Sequence, residues 1–222
     1  MVIAVFDGER FLAEAIASAK AQTYSPLEII VVDDGSRDGS AELAAKLGAQ
    51  VLRRPHRGVS AARNAGIAAA RGDLIAFLDA DDRWPVERLA VQAERFIRRP
   101  ELGFVLGRAR LFLDPGSPRP EWFTDDLAMG KSVLARLTLV AKRGLFERVG
   151  GFDESIDICE DFDWLVRGRE AEIPYEVLHD VVLEYRVHGA NTGLLRRADL
   201  EAGLLRMLRS SIKRRRAAQV PR

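Results

Sequence analysis

Leu74-Ile75-Ala76-Phe77-Leu78-Asp79-Ala80-Asp81-Asp82 runs from an apolar segment straight into three carboxylates within four positions. The apolar part is short, follows Gly72 and Asp73, and predicts a buried β-strand. Like charges this close raise one another's pKa, and a divalent cation removes the conflict. Hard oxygen ligands suit Mg2+ or Mn2+, ions that commonly keep coordination places for substrate phosphates. The stretch therefore points to a metal-assisted site for a phosphorylated substrate. The plainer alternative is an acidic loop in which Asp82 caps a helix starting near Trp84-Pro85.

Outward from this stretch, strands and helices alternate. Residues 2–6, 27–32 and 50–53 read as strands, the second rich in β-branched side chains. Helices are predicted over 11–21, with Phe11, Leu12, Ala15, Ile16 and Ala19 on one side, and over 40–47, capped by Ser40 or Asp38 and stopped by Gly48. Two more are predicted over 60–70 and over 84–98, the latter closed by Pro100. Strands separated by such helices imply right-handed βαβ crossovers and a mainly parallel sheet, with ligands beyond the carboxyl ends of the strands. Phe6-Asp7, Asp33-Asp34 and Asp79 to Asp82 all fall at those ends. Three separate acidic loops thus converge on one edge.

The second half is less regular. Strands are predicted over 103–107, 109–113, 133–140 and 181–187, with a proline- and glycine-rich loop over 114–120. Helices are predicted over 143–149 and 161–170, and a tail helix over 199–216 with a basic end. No repeat or linker divides the chain. The expected organisation is a single α/β domain: a nucleotide-binding half over 1–100, an acceptor-side half of mixed structure over 101–195, and a basic helical tail over 196–222.

The totals narrow the class. The 222 residues are 47% hydrophobic and 30% charged, ample for one core and an ordinary polar surface. A formal charge of +1 gives no argument for nucleic acid. One cysteine, Cys159, excludes an internal disulfide framework and a cysteine-rich zinc site. No apolar stretch approaches the roughly 20 residues that span a bilayer, and the N-terminus lacks the pattern of a secretory signal. A cytoplasmic location is expected, with peripheral contact at the inner face of the membrane as an option. That option comes from Leu204, Leu205, Met207, Leu208 and Ile212 followed by Lys213 to Arg216, a pattern that fits an anionic membrane or a partner. A solvated terminal helix with a disordered end is the plainer reading.

Seven motifs stand in order along the chain: Val5-Phe6-Asp7-Gly8, Gln22-Thr23-Tyr24, residues 31–40 (Val-Val-Asp-Asp-Gly-Ser-Arg-Asp-Gly-Ser), residues 58–66 (Gly-Val-Ser-Ala-Ala-Arg-Asn-Ala-Gly), Phe77 to Asp82, Gly150-Gly151-Phe152-Asp153-Glu154, and Glu160 to Leu165. Together they resemble family 2 glycosyltransferases, inverting enzymes of the GT-A fold, over about residues 1–190. The resemblance implies a Rossmann-like, mainly parallel sheet flanked by helices and transfer of a sugar from a nucleotide-sugar donor, a UDP- or dTDP-sugar by preference. The acceptor would be a hydroxyl on a glycan, a lipid-linked or another molecule, in cell-surface polysaccharide or glycan synthesis.

It also implies roles. Ala4 and Phe6 would line the uracil or thymine pocket, Phe6 offering a ring for stacking unless it packs in the core. Asp34 would accept a hydrogen bond from the base, and Asp33 would brace the turn through Gly35. Arg63 would contact phosphate, fix the acid cluster or simply brace a helix. Asp79 would hold the ribose, and Asp81 or Asp82 the Mg2+ or Mn2+ that bridges the phosphates. Asp161 would be the base that removes the acceptor proton, with Glu160 its nearest substitute and a helix N-cap the alternative; Asp163 reads as structural. His188 would reach the metal or diphosphate, and Arg186 would neutralise phosphate. Trp122 could stack on an acceptor sugar, Trp84 and Trp164 read as core, and His56 and His179 are given no role.

Departures from the family pattern are visible. Ala4 and Asp7 stand where Pro and Asn are familiar, and the chain begins almost at the first motif. Two rivals are weighed. A sugar nucleotidyltransferase would place a glycine-rich phosphate loop with a basic residue after the first strand, whereas Phe6-Asp7-Gly8-Glu9-Arg10 has one glycine and is acidic there. A catalytically inert nucleotide-binding module is opposed by the intact Asp81, Asp82 and Asp161.

Overall fold

The structure, a computed structural model, describes residues 1–129, 138–156, 158–191 and 197–218. Its elements run β1 (Val2–Val5), α1 (Glu9–Lys20), β2 (Ile30–Asp33), α2 (Ser40–Lys46), β3 (Gln50–Arg53), α3 (Val59–Ala69), β4 (Leu74–Asp79), α4 (Arg88–Arg98), β5 (Phe104–Leu113), α5 (Asp125–Ala128), β6 (Val140–Lys142), α6 (Leu145–Arg148), α7 (Glu160–Glu170), β7 (Tyr175–Val187) and α8 (Arg197–Ala218). Among the described residues the seven strands form one sheet in the order β3-β2-β1-β4-β6-β5-β7. The first four run parallel, β6 is antiparallel to both its neighbours, and β5 pairs parallel with β7.

Both faces of this sheet are covered, so its strands alternate between two cores rather than between core and water. Ile3, Val31, Ala76 and Leu78 face Leu12, Ala15 and Ile16 of α1, Ala44 of α2 and Leu89 and Phe96 of α4. Val2, Ile30, Val32, Ile75 and Phe77 face Ala62 of α3, Phe146 of α6 and Trp164 and Leu165 of α7. The period-two side-chain alternation of the strands makes this division. Trp84 and Trp164 are both buried, as their core reading expected.

Several boundaries differ from the expected ones. The second strand starts at Ile30 rather than 27, because its neighbour β1 begins only at Val2 and the first pairing is Ile30 N–H to Met1 C=O. The helix expected from 84 begins at Arg88: Pro85 and Val86 accept from Arg88, Gln22 and Thr23, which pins 85–87 against the end of α1. Asp82 therefore caps no helix. Gly39, not Ser40 or Asp38, is the N-cap of α2; the Asp38 carboxylate accepts instead from the Ser40 and Glu9 amides, and Ser40 Oγ accepts from Gly8. The two strands expected at 103–113 are one, β5, with a register shift where Thr138 Oγ1 takes the Gly107 N–H at 3.0 Å. Most of the strand expected at 133–140 lies outside the described residues; the strand found is Val140–Lys142, followed by a shorter helix than expected. β7 begins at Tyr175, six residues earlier than expected, because it follows β5 along its length. The tail helix docks by one face on α7. Met207 and Ser211 are buried, and Arg214 binds Glu170 at 2.7 Å and Asp163 at 3.5 Å.

Gly66 shows how closely α3 sits on β1. A Cβ there would lie 2.3 Å from Val2 Cγ1. Gly66→Ala should therefore destabilise the protein by about 1–3 kcal/mol through overpacking, and adding Val2→Ala should recover part of the loss. Urea unfolding of the two variants checks this; an unchanged midpoint for Gly66→Ala would mean that the helix shifts without cost.

Candidate active site

β1, β2 and β4 end side by side, and their acidic loops meet at one edge. The β2 loop is built from inside: Asp33 Oδ1 accepts the Ser36 N–H at 3.0 Å, bracing a turn in which Gly35 takes φ +87°. Asp34 is buried. Its carboxylate accepts from the backbone N–H groups of Gly58 at 2.7 Å and Arg57 at 3.1 Å, and His56 Nδ1 lies 2.9 Å away. Phe6 is 44% exposed, with its ring centroid 4.2 Å from that of His56. An open ring is available for stacking, and the core-packing reading of Phe6 falls away. Ala4 is half-buried in β1 beside it. Asp7, at φ +49°, accepts from the Arg37 N–H and donates its own N–H to Ser36 Oγ, closing the β1 loop onto the β2 loop.

At the end of β4, Asp79, Asp81 and Asp82 each bring an oxygen within 4.8 Å of the others. Asp82 is 1% exposed. Its Oδ1 accepts the Arg186 N–H at 2.8 Å, and its Oδ2 is buried with no hydrogen-bond partner. Burial first, then the charges of Asp81 and Asp79, hold this carboxyl well above the usual carboxylate range. Such an orphaned acid among like charges fits a hard divalent cation. His188 lies against Asp81: Nδ1 accepts the Ala190 N–H, and Nε2 is 3.0 Å from Asp81 Oδ2. Beneath the turn, the buried Arg88 stacks over Trp84 at 4.2 Å. Burial brings its pKa down to about 9 against the pull of Asp82 and Asp79, so it remains a cation at neutral pH.

Arg63 joins the two halves of the site. It leaves α3 buried, gives Nη2 to Asp79 at 2.7 Å and binds Glu160 through Nη1. These contacts fit both fixing the acid cluster and bracing the helix. Burial lowers its pKa, and the carboxylates of Asp79, Glu160 and Asp161 more than reverse that. Next to it, Asn64 clamps Phe152 by accepting its N–H at 2.8 Å and donating to its C=O at 2.9 Å. Arg167 holds the same loop through the carbonyls of Val149 and Gly151. This loop leads into α7, whose N-cap is Cys159 at φ +77°. Asp161 is thus in the first helical turn and not the cap, and it is buried beside Glu160. Asp163 pairs with Arg167 at 2.7 Å, a structural role as expected.

One expectation does not match these contacts. Arg186 is buried and engaged with Glu14, Asp114 and the Asp81 carbonyl, so its guanidinium does not face outward toward a phosphate. Trp122 is 42% exposed beside Phe123, which leaves its ring open to solvent. His56 was overlooked: nothing in Arg54-Pro55-His56-Arg57 signals that it folds back on Asp34 and Phe6.

The model of glycosyl transferase family 2 matches residues 1–151. An uncharacterised glycosyltransferase of Rickettsia prowazekii is 28% identical over 207 residues, which cover 86% of this chain and 64% of that protein. The chain thus spans about two thirds of the length of such relatives. Two solved structures share its GT-A fold. The mannosyltransferase PcManGT from Pyrobaculum calidifontis, in complex with GDP-Man and Mn2+, has a TM-score of 0.71 at 19% identity, covering 96% of this chain and 63% of its own. S. aureus TarS 1–349, in complex with UDP-GlcNAc, has a TM-score of 0.67 at 19% identity, covering 86% and 58%.

Burial, the counter-pull of Arg63 and the like charge of Asp161 together leave the Glu160 carboxyl up at about 7. An acid whose pKa is higher folded than unfolded stabilises the fold when protonated. That contribution is present below about 4.5 and is lost as pH rises through about 7. Glu160→Gln should remove this loss, so the melting temperature of the variant relative to the parent should rise between pH 5 and pH 8 by on the order of 5 °C. Parallel curves for the two proteins would mean that Glu160 is ionised throughout.

Proposed function

The chain belongs to glycosyltransferase family 2, and from that premise we propose that it transfers a sugar from a nucleotide-sugar, with inversion, to an acceptor hydroxyl. The observation that carries this reading is the Arg63 bridge. It ties the acidic turn of β4 to the first turn of α7, so donor-side and acceptor-side carboxylates share one edge of the sheet. Phe6, Ala4 and Asp34 would take the base, with UDP or dTDP preferred, and Asp79 the ribose hydroxyls. Asp81 and Asp82, with His188 against Asp81, would hold Mg2+ or Mn2+. Bound there, such an ion would neutralise the diphosphate and stabilise it as a leaving group.

Asp161 is the proposed base. Its carboxylate takes the proton of the acceptor hydroxyl as that oxygen attacks the anomeric carbon from the face opposite the diphosphate. One C–O bond forms, the bond to the diphosphate oxygen breaks, and configuration inverts. The same assignment makes residues 1–100 the donor half, 101–195 the acceptor half and 196–222 an appended tail. Cell-surface polysaccharide or glycan synthesis is the proposed setting, on a cytoplasmic face.

Calorimetric titration with UDP, dTDP and GDP, each with Mn2+ and with EDTA, tests the donor reading. Metal-dependent binding of a pyrimidine nucleotide is expected; binding of GDP alone would redirect the donor assignment, and binding of none would overturn it. Asp161→Asn should lower transfer by at least 100-fold while leaving nucleotide binding intact. Equal activity would remove Asp161 as base.

Among the described residues no helix is long and apolar enough to cross a membrane. Along α8, however, Leu205, Leu208 and Ile212 are exposed on the side away from α7, with Arg206, Arg209 and Lys213 exposed beside them. This combination supports peripheral contact with an anionic bilayer. Co-sedimentation with vesicles containing phosphatidylglycerol should fall several-fold in Leu205→Gln/Leu208→Gln, and equal retention would argue against the contact.

A further inference from the structure

We propose that Arg186 is a positioning residue for the metal carboxylates, setting the Asp81–Asp82 turn from behind through the end of β7. The inference rests on the metal reading of those two acids and adds to it the element that shapes them.

The turn is sewn to β7 by backbone and side chain together. Arg83 N–H donates to Glu184 C=O at 3.1 Å and Glu184 N–H returns to Arg83 C=O at 2.9 Å, a short antiparallel bridge. Two residues on, the Arg186 backbone N–H donates to Asp82 Oδ1 at 2.8 Å. Its Nε donates to the Asp81 carbonyl at 2.9 Å. Nη1 and Nη2 reach past the turn to Asp114 Oδ1 at 2.8 Å and Glu14 Oε2 at 2.7 Å. The guanidinium is held over the rings of Phe11 at 4.7 Å and Phe112 at 4.8 Å. Asn191 then closes the strand end, donating to Arg186 C=O at 3.0 Å and accepting from the His188 N–H at 2.7 Å.

One residue thus contacts both acids of the turn and is itself fixed from α1 and from the end of β5. A planar fork with donors in three directions is what this needs. A lysine in its place would keep the charge and lose two of the three directions. Removing the Asp81 contact frees the carbonyl of that residue, and the carboxylate it carries loses its fixed aim. Partners of this kind, one bond removed from a metal ligand, typically contribute 10–100-fold to metal affinity.

The test follows Mn2+ binding through loss of the free-ion EPR signal, in the presence of whichever of UDP, dTDP or GDP binds in the titration above. Arg186→Lys should weaken Mn2+ binding by about 10-fold or more, although its charge is kept. A substitution at a buried arginine can block folding, so Glu14→Gln supplies a second variant at a half-exposed position; it should weaken Mn2+ by a few-fold while the protein still unfolds cooperatively. Wild-type affinity in folded Glu14→Gln and in folded Arg186→Lys would make the cluster mere packing and overturn the proposal. Parent protein that binds nucleotide but no Mn2+ would overturn the metal reading itself, an outcome distinct from the first.

Discussion

Carboxylates crowd the carboxyl edge of this sheet, and guanidinium groups taken out of water hold them there. Arg63 lies between Asp79 and Glu160, Arg88 sits under Asp82 and Asp79, and Arg186 ties Asp114 and Glu14 to the turn. Each is buried and so costs desolvation; the acids more than offset it for Arg63, and only in part for Arg88, which also stacks on Trp84. The dependence runs both ways. Without the arginines, the like charges of Asp79, Asp81 and Asp82 would repel one another more strongly and the pKa of Asp82 would rise further; without the acids, Arg63 and Arg186 would lose the partners that offset their burial. The positions of these groups are consequently fixed by one another before any ligand arrives, which is the preorganisation an electrostatic site requires.

One turn of α3 shows how economically the sequence does this. Arg63, Asn64 and Gly66 leave the helix in different directions. Arg63 goes to the acids, Asn64 to the Phe152 backbone, and Gly66 lets the helix lie on Val2. The first links the end of β4 to the start of α7, the second fixes the loop that leads into α7, and the third sets the depth of the helix against the sheet.

Much of this was legible in the residues. The acidic ends of β1, β2 and β4 could be placed on one edge because alternation of strands and helices dictates it, and the open ring of Phe6 and the structural role of Asp163 agree with what was expected. The contacts that were not legible are those between distant parts of the chain. Nothing near Arg63 announces Glu160, nothing near Arg186 announces Glu14 and Asp114, and His56 sits in an unremarked loop. The early start of β7 was hidden because Tyr175 to Asp180 are largely exposed and do not alternate cleanly. The late start of α4 was hidden because its amphipathic pattern continues back through residues pinned by the end of α1.

β4 carries the acidic turn, yet its second neighbour, β6, is a three-residue strand from far along the chain. During synthesis the first four strands can pair while one side of β4 stays open, an unpaired edge in what becomes the middle of the sheet. Closure waits for a long-range contact, the slow kind, and until then the nascent half is exposed to edge-to-edge association. The segment between α4 and β5 is therefore not a place to divide the protein. The strand that closes β4 comes from a segment synthesised well after it.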